Sequence, residues 1–252
     1  MTDEAKKLSE KSRYEFADLC AITRILRSEG GCPWDREQTH RSVRSCMIEE
    51  AYEVVEAIDR EDAVLLREEL GDVLFQSVFH SQIEAERGEF DIGDVVNDIC
   101  VKMIHRHPHV FGDPGSAGET VTPDGALAGW EKIKAEEKKR TTLSSRLRAV
   151  PAMLPALMRA QKVAKKAGLC EGVTAEELVA SVARKLPALE KGDNGALGEV
   201  LMDLCRFAAV RNGSAEEALG QATERVIREA EEQEKMKISC KSPCKTGNNV
   251  IQ

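Results

Sequence analysis

The sequence predicts an all-α protein, and three observations carry that prediction. Hydrophobic residues make up 42% of the chain but aromatics only 4%, while 32% of residues are charged. Apolar residues recur at helical spacing over long stretches, and alternating β-branched runs are few, which favours packed helices over sheets. The third observation is the stretch Glu49 to Asp72, EEAYEVVEAIDREDAVLLREELGD, which reads as two helical runs joined by a short turn. Such a turn makes the two helices antiparallel neighbours. The length of 252 residues allows one large or two small domains with ample core.

Taken in order, residues Ser9 to Ser28 predict an amphipathic helix with Phe16, Leu19, Cys20, Thr23 and Leu26 on one face, ended by Gly30-Gly31. A loop follows, Cys32-Pro33-Trp34-Asp35, then Gln38-Thr39-His40. Trp34 there either caps a core or stacks on a base, and capping is the commoner role. Helices are expected over Ser42–Asp59 and Ala63–Glu86. Asp91 can cap a fourth, DIGDVVNDICVKMIHR, with Ile92, Val95, Val96, Ile99 and Met103 as its apolar stripe. It stops at His107-Pro108, because the residue before proline resists the helical conformation. His105, His107 and His109 straddle that break and read as loop groups. Residues 112–125 are rich in Gly, Pro, Ser and Asp, hence a loop, and a helix begins near Leu127.

The acidic pairs are the chemical signal. Glu49-Glu50-x-x-Glu53 and Glu69-x-x-Asp72 each place two carboxylates on one helical face. Glu69, Asp72 and Gln76 fall in one narrow stripe, with Leu66, Leu70 and Val73 on one side and Phe75 and Phe79 on the other. A carboxylate amid so much apolar surface is costly to bury unpaired. If the helices pack antiparallel, four carboxylates converge, and hard divalent ions with a preference for oxygen suit them: Mg²⁺, with Mn²⁺ as a substitute. The plainer alternative is a solvated face with Glu–Arg pairs, using Arg60 and Arg67. Gly71, a poor helix former, suggests close approach of another backbone.

Cations are placed at helical spacing further along. Lys102 and Arg106 are four apart and flank the apolar stripe of their helix, leaning toward a common target or simply compensating the helix dipole. Trp130-x-x-x-Lys134 puts an aromatic plane and an ammonium on one face, which suits a base and a phosphate as well as ordinary packing. Net charge is −8, so the chain as a whole is not built to bind a nucleic acid polymer. The charged N-terminus shows no secretory signal and no run is long enough to span a bilayer. Eight scattered cysteines fit free thiols in a reducing cytoplasm, and Cys240-x-x-x-Cys244 lacks a second ligand pair for a metal. No G-x-x-x-x-G-K-[ST] phosphate loop occurs.

The second half echoes the first. Leu197-Gly198-Glu199-Val200-Leu201 mirrors Leu70-Gly71-Asp72-Val73-Leu74 at a spacing of 127, which also sets Glu176-Glu177 against Glu49-Glu50. At that spacing Ala180 and Ala196 replace Glu53 and Glu69; a register nearer Ala183 puts Arg184 and Pro187 where acids would stand. Helical runs are expected over Leu154–Ala167, Ala175–Leu189, Ala196–Arg211 and Ala215–Lys235. The expected organisation is a catalytic helical domain over 1–140, a linker over 141–151, a degenerate second helical domain over 152–236 and a disordered tail over 237–252.

The segments GCPWDREQTH, EEAYEVVEAI, EELGDVLFQSVFHSQ, RHPHVFGD and GWEKIKAEEK, in this order, closely resemble the MazG family of nucleoside triphosphate pyrophosphohydrolases. The resemblance covers roughly residues 10–235 and is weak in the second half. It implies an all-α fold with a four-helix-type core per repeat, and homodimers with sites near the subunit interface. It further implies Mg²⁺-dependent hydrolysis of a nucleoside triphosphate to the monophosphate and pyrophosphate. By motif, Glu50, Glu53, Glu69 and Asp72 correspond to metal ligands, and Lys102, Arg106, Trp130 and Lys134 to nucleotide contacts. Glu49 is a candidate to orient the attacking water. The competing reading is a non-catalytic, Mg²⁺-binding helical dimer that regulates a partner protein.

Overall fold

The computed structural model describes residues 2–112, 122–137 and 142–241, and among these there are helices and no strand. The chain divides into two compact units, Met1–Glu131 and Lys132–Gln252. No described helix is long and apolar enough to cross a membrane.

The first unit begins with α1 (Asp3–Ser9) and α2 (Phe16–Arg27). The helix expected over Ser9–Ser28 therefore starts later, at Phe16, and α1 lies ahead of it, meeting the expected range only at Ser9. The break has a local cause: Glu15 and Asp18 form a reciprocal capping box that starts a new helix, and Lys11 donates to Asp18 at 2.6 Å. Next come α3 (Pro33–Glu37), α4 (Arg44–Asp59), α5 (Ala63–Arg87), α6 (Ile92–Arg106) and α7 (Pro108–Phe111). The α5 helix is the axis of the unit, packing against α2, α4 and α6. Gly88, in the left-handed region at φ 74°, ends it, and Asp91 caps α6 through Gly93 and Asp94.

Trp34 does not cap the core: it is 62% exposed on α3. The piece of chain it sits on is held instead by Arg27. The Arg27 guanidinium donates twice to Glu86 at 2.8 Å, donates to the carbonyls of Asp35 and Gln38, and lies 5.0 Å from the Phe79 ring centroid. Phe79 forms the buried centre with Val43 and Ile83, flanked by Cys46 and Phe75. A second tie was unforeseen. His40 and His80 stack with their Nδ1 atoms 2.7 Å apart, and His40 Nε2 meets Glu84, which also accepts from Arg87.

The α6 stripe departs from expectation, since Val95, Val96 and Ile99 are exposed. So are Tyr52, Val55 and Ile58 on α4 and Leu70 and Leu74 on α5. Gly71 meets nothing within 4 Å, so no backbone of the chain approaches it there. The first unit thus buries one side of its central hairpin and leaves an apolar side open.

Helix α8 (Pro123–Glu137) starts ahead of the expected Leu127 and crosses the boundary between units. Most of the loop expected over 112–125 lies outside the described residues. The second unit continues with α9 (Leu143–Arg148), α10 (Ala156–Lys166), α11 (Ala175–Glu190), α12 (Asn194–Val210) and α13 (Ala215–Lys241). A short helix therefore occupies part of the expected linker, and the tail beyond 241 lies outside the described residues. Here α12 is central, packed on α10, α11 and α13 around Ala164, Leu178, Val200, Cys205 and Ala209.

The two hairpins share one turn. Glu61 and Gly192 both take positive φ, at 52° and 78°. Asp62 N–H bonds Ala57 O and Asp193 N–H bonds Ala188 O; each aspartate then caps the helix that follows. Asp193 stands 131 positions after Asp62, so the geometric register of the repeat is 131 rather than 127. Glycine is the better residue for the left-handed position, and only the second copy has it.

Asp203, 3% exposed, is the charged group most deeply set in the second unit, and it accepts from Lys185 Nζ at 2.6 Å, Ser181 Oγ at 2.7 Å and Arg206 Nη1 at 3.0 Å. Burial pushes its carboxyl up, but the bonds from Lys185, Ser181 and Arg206 outweigh this and hold it below the usual carboxylate range. A lowered folded value means its stabilisation is present above the pH where an unfolded aspartate titrates and fades as pH falls through the lowered value. D203A should cost about 3 kcal/mol at neutral pH, as when one partner of a buried ion pair is removed. Thermal melts of both proteins from pH 7 down to pH 3 should show that gap narrowing in acid.

Candidate metal and nucleotide site

The hairpin α4–α5 builds the site. Three residues, 60–62, reverse the chain, so the helices run antiparallel and the second turn of α4 faces the early turns of α5. Carboxylate oxygens of Glu50, Glu69 and Asp72 lie within 4.8 Å of one another. Glu69 is buried at 9% exposure, Glu50 is half-buried, and Glu53, Asp72 and Glu49 are exposed. The acids thus line a mouth that is apolar behind and open in front.

Electrostatics confirm the crowding. Burial, then the charge of Asp72, then Glu53, push the Glu50 carboxyl up, and the Gln76 amide only partly offsets them. Glu69 is raised by burial first, then by Glu53, Glu68, Asp72 and Glu50. Glu53 lies outside the tight group of three but its charge is felt by both Glu50 and Glu69. Among the described residues no ion pair joins a cation to any of the four acids. Arg60, a candidate for the plainer alternative, pairs with Glu56 instead. A cluster of oxygen donors with its own charge unbalanced is the donor set a hard divalent ion fits.

Gln76 is a site residue whose role the sequence reading left unassigned. It is 8% exposed, one turn of α5 beyond Asp72, and its amide favours the ionised form of Glu50. The signal available was an amide on the same stripe as Glu69 and Asp72 in an otherwise apolar helix.

The basic candidates are distributed differently. Lys102 is exposed on α6. Arg106, one turn later, is 7% exposed, and its guanidinium lies 5.4 Å from the Trp130 ring centroid. That contact is an Arg–aromatic stack, a flat cationic surface of the kind a base or phosphate can extend. Trp130 is half-buried on α8, and Lys134, half-buried one turn later, falls past the boundary where the second unit begins. Of the histidines, His107 Nδ1 meets Met103 O at 2.6 Å, which ties it to the end of α6, and its ring lies against His109.

The raised folded values of Glu50 and Glu69 have a defined sign. Their contribution to stability is intact below the ordinary carboxylate range and is lost as pH rises through the raised values, so the metal-free hairpin is strained at neutral pH. Melts in EDTA should show E69Q matching or exceeding the wild type at pH 7, with the difference shrinking toward pH 4. Millimolar Mg²⁺ or Mn²⁺ should raise the wild-type midpoint and raise that of E69Q less.

Residues 38–111 match the MazG nucleotide pyrophosphohydrolase domain family. A nucleoside triphosphate pyrophosphohydrolase/pyrophosphatase MazG of Thermotoga maritima is 37% identical over 232 residues, covering 88% of this chain and 86% of its own. A nucleoside triphosphate pyrophosphohydrolase of Escherichia coli K12 is 46% identical over 59% of this chain and 55% of its own length. An uncharacterized Bacillus subtilis protein, YabN, is 49% identical over 60% of this chain but only 30% of its own. The Thermotoga match runs through both units, and the matched family domain contains all four acids. This chain belongs to the MazG family of nucleotide pyrophosphohydrolases.

Proposed function

We propose that the protein is a Mg²⁺-dependent nucleoside triphosphate pyrophosphohydrolase, converting NTP or dNTP and water to the monophosphate and pyrophosphate. The observation that carries this is the uncompensated group of Glu50, Glu69 and Asp72 with Glu53 beside it, inside the segment that matches the family. Bound there, Mg²⁺ or Mn²⁺ would supply charge neutralisation for triphosphate oxygens and an acidified water.

The chain's own residues supply position and proton handling. Phosphoryl transfer needs placement and charge neutralisation more than covalent help. Glu50, Glu69 and Asp72 would hold the ion, and the Gln76 amide favours the ionised form of Glu50. Glu53 and Glu49, both exposed, can receive a proton from the attacking water and order the outer shell. The Arg106–Trp130 contact offers a base and phosphate surface, and Lys102, one turn before Arg106, extends its positive charge. Attack by water at phosphorus breaks one anhydride bond, the pyrophosphate or the monophosphate leaves with the electron pair, and a proton passes to a carboxylate or to solvent.

A homodimer fits the open apolar side of the hairpin. Val55 and Leu70 are exposed in the first unit, and at the spacing of 131 Leu186 and Leu201 are exposed in the second. The same face is open in both copies of one supersecondary unit, and a second chain covers such a face by self-complementarity. Light scattering at micromolar concentration should give the mass of two chains; a monomer would contradict this part of the reading. Free thiols at Cys20, Cys32, Cys46, Cys100, Cys170 and Cys205 suit a cytoplasmic location.

The direct test is incubation with mixed NTPs and Mg²⁺. Equimolar monophosphate and pyrophosphate are expected, and E53Q should release neither while keeping its helical circular dichroism. Orthophosphate with diphosphate would assign another hydrolase, no product would leave a binding module, and wild-type turnover by E53Q would refute its assignment.

A further inference from the structure

Because α11–α12 repeats α4–α5 turn for turn, the two hairpins can be compared position by position. The spacing of 131 carries Glu50, Glu53, Glu69 and Asp72 onto Ser181, Arg184, Val200 and Asp203. One acid in four is kept, Asp203, which is buried where its counterpart Asp72 is exposed. Ser181 Oγ bonds Asp203 at 2.7 Å, so these two positions meet in the second unit as Glu50 and Asp72 meet in the first. What lies beside them differs. Lys185 Nζ is 2.6 Å from Asp203 and 3.5 Å from Glu199, and Arg206 bonds the other oxygen of Asp203.

We propose that the Lys185 ammonium takes, in the second unit, the place a divalent cation takes in the first, so that this unit is a metal-independent copy of the site. The inference rests on the first unit holding a divalent ion. At the first site, among the described residues, four acids stand with no cation paired to them. At the second, Asp203 and Glu199 face Lys185 and Arg206, and Arg184 replaces another acid. A divalent ion entering there would meet fixed positive charge. An ammonium is a monovalent point charge with three donors; it satisfies a buried carboxylate, but it cannot acidify a water as a divalent ion does. The second unit therefore keeps its fold without metal and performs no hydrolysis of its own.

The test is Mn²⁺ binding by electron paramagnetic resonance, with hydrogen exchange to locate it. Wild type should bind Mn²⁺, and E50Q/E69Q should lose affinity on the order of 100-fold, the scale on which metal-site substitutions act. Converting the second unit in that background with S181E, R184E, K185V, V200E and R206F should restore binding. Retention of wild-type affinity by E50Q/E69Q, with Mn²⁺-dependent protection in α11–α12, would overturn the proposal, as would a folded converted protein that binds nothing. Should the converted protein not fold, wild-type exchange decides: Mn²⁺ should protect α4–α5 and leave α11–α12 unchanged, and equal protection of both refutes the proposal. If wild type binds no Mn²⁺, the reading of the first unit fails separately. K185M then still tests the lysine, since it should lose α11–α12 protection with or without metal, and unchanged protection would contradict its role.

Discussion

Acidic side chains repel one another most where water is thinnest, and the α4–α5 hairpin holds them there regardless. Glu69 is set into the packed side of α5, Glu50 reaches it from α4, and Asp72 closes the group, all without a neighbouring cation among the described residues. Among the described residues only the Gln76 amide eases that repulsion, by favouring the ionised form of Glu50. The rest of the first unit makes the arrangement tolerable. Val43, Phe79 and Ile83 pack further along the same hairpin, and Arg27 and the His40–His80–Glu84 tie anchor the preceding loop to the far end of α5. The stability of that scaffold is what lets a repulsive cluster persist.

The same hairpin occurs twice and resolves its electrostatics in two ways. In the first unit the charge is left unbalanced and open to solvent at Glu53 and Asp72. In the second, Asp203 is buried with Lys185, Ser181 and Arg206 around it. The shared turn, with Asp62 and Asp193 in matching caps, shows that the backbone plan is one plan. Substitution at a handful of inward positions separates the two, and on the proposed reading the first calls for an external cation while the second carries its own. The apolar faces left open on both hairpins follow from the same plan.

Much of this was legible in the residues, because it depends on local rules. Three-residue acid spacing, helix-stop signals at Gly88 and His107-Pro108 and the turn at 60–62 all act within a few positions of themselves, and the helices α4 to α6 lie close to where periodicity puts them. The misses are the effects of distant partners. Trp34 looks like a core cap only until Arg27 is seen holding that loop from α2, and Gly71 looks like a contact point until its surroundings prove open. The Leu-Gly-x-Val-Leu echo points to a spacing of 127, four short of the 131 fixed by the turns, because it is a stronger pattern in the residues than the two aspartate caps. The Lys185–Asp203 pair is eighteen residues apart on two helices, and no periodicity marks it.

The account depends on a divalent ion lying among Glu50, Glu69 and Asp72. Crystals of the full chain grown with Mn²⁺ and a non-hydrolysable triphosphate, measured at the manganese edge, test it most directly. An anomalous peak within coordinating distance of those three carboxylates is the expected result. An ordered hairpin with no peak there, or with the triphosphate bound elsewhere on the chain, would contradict it.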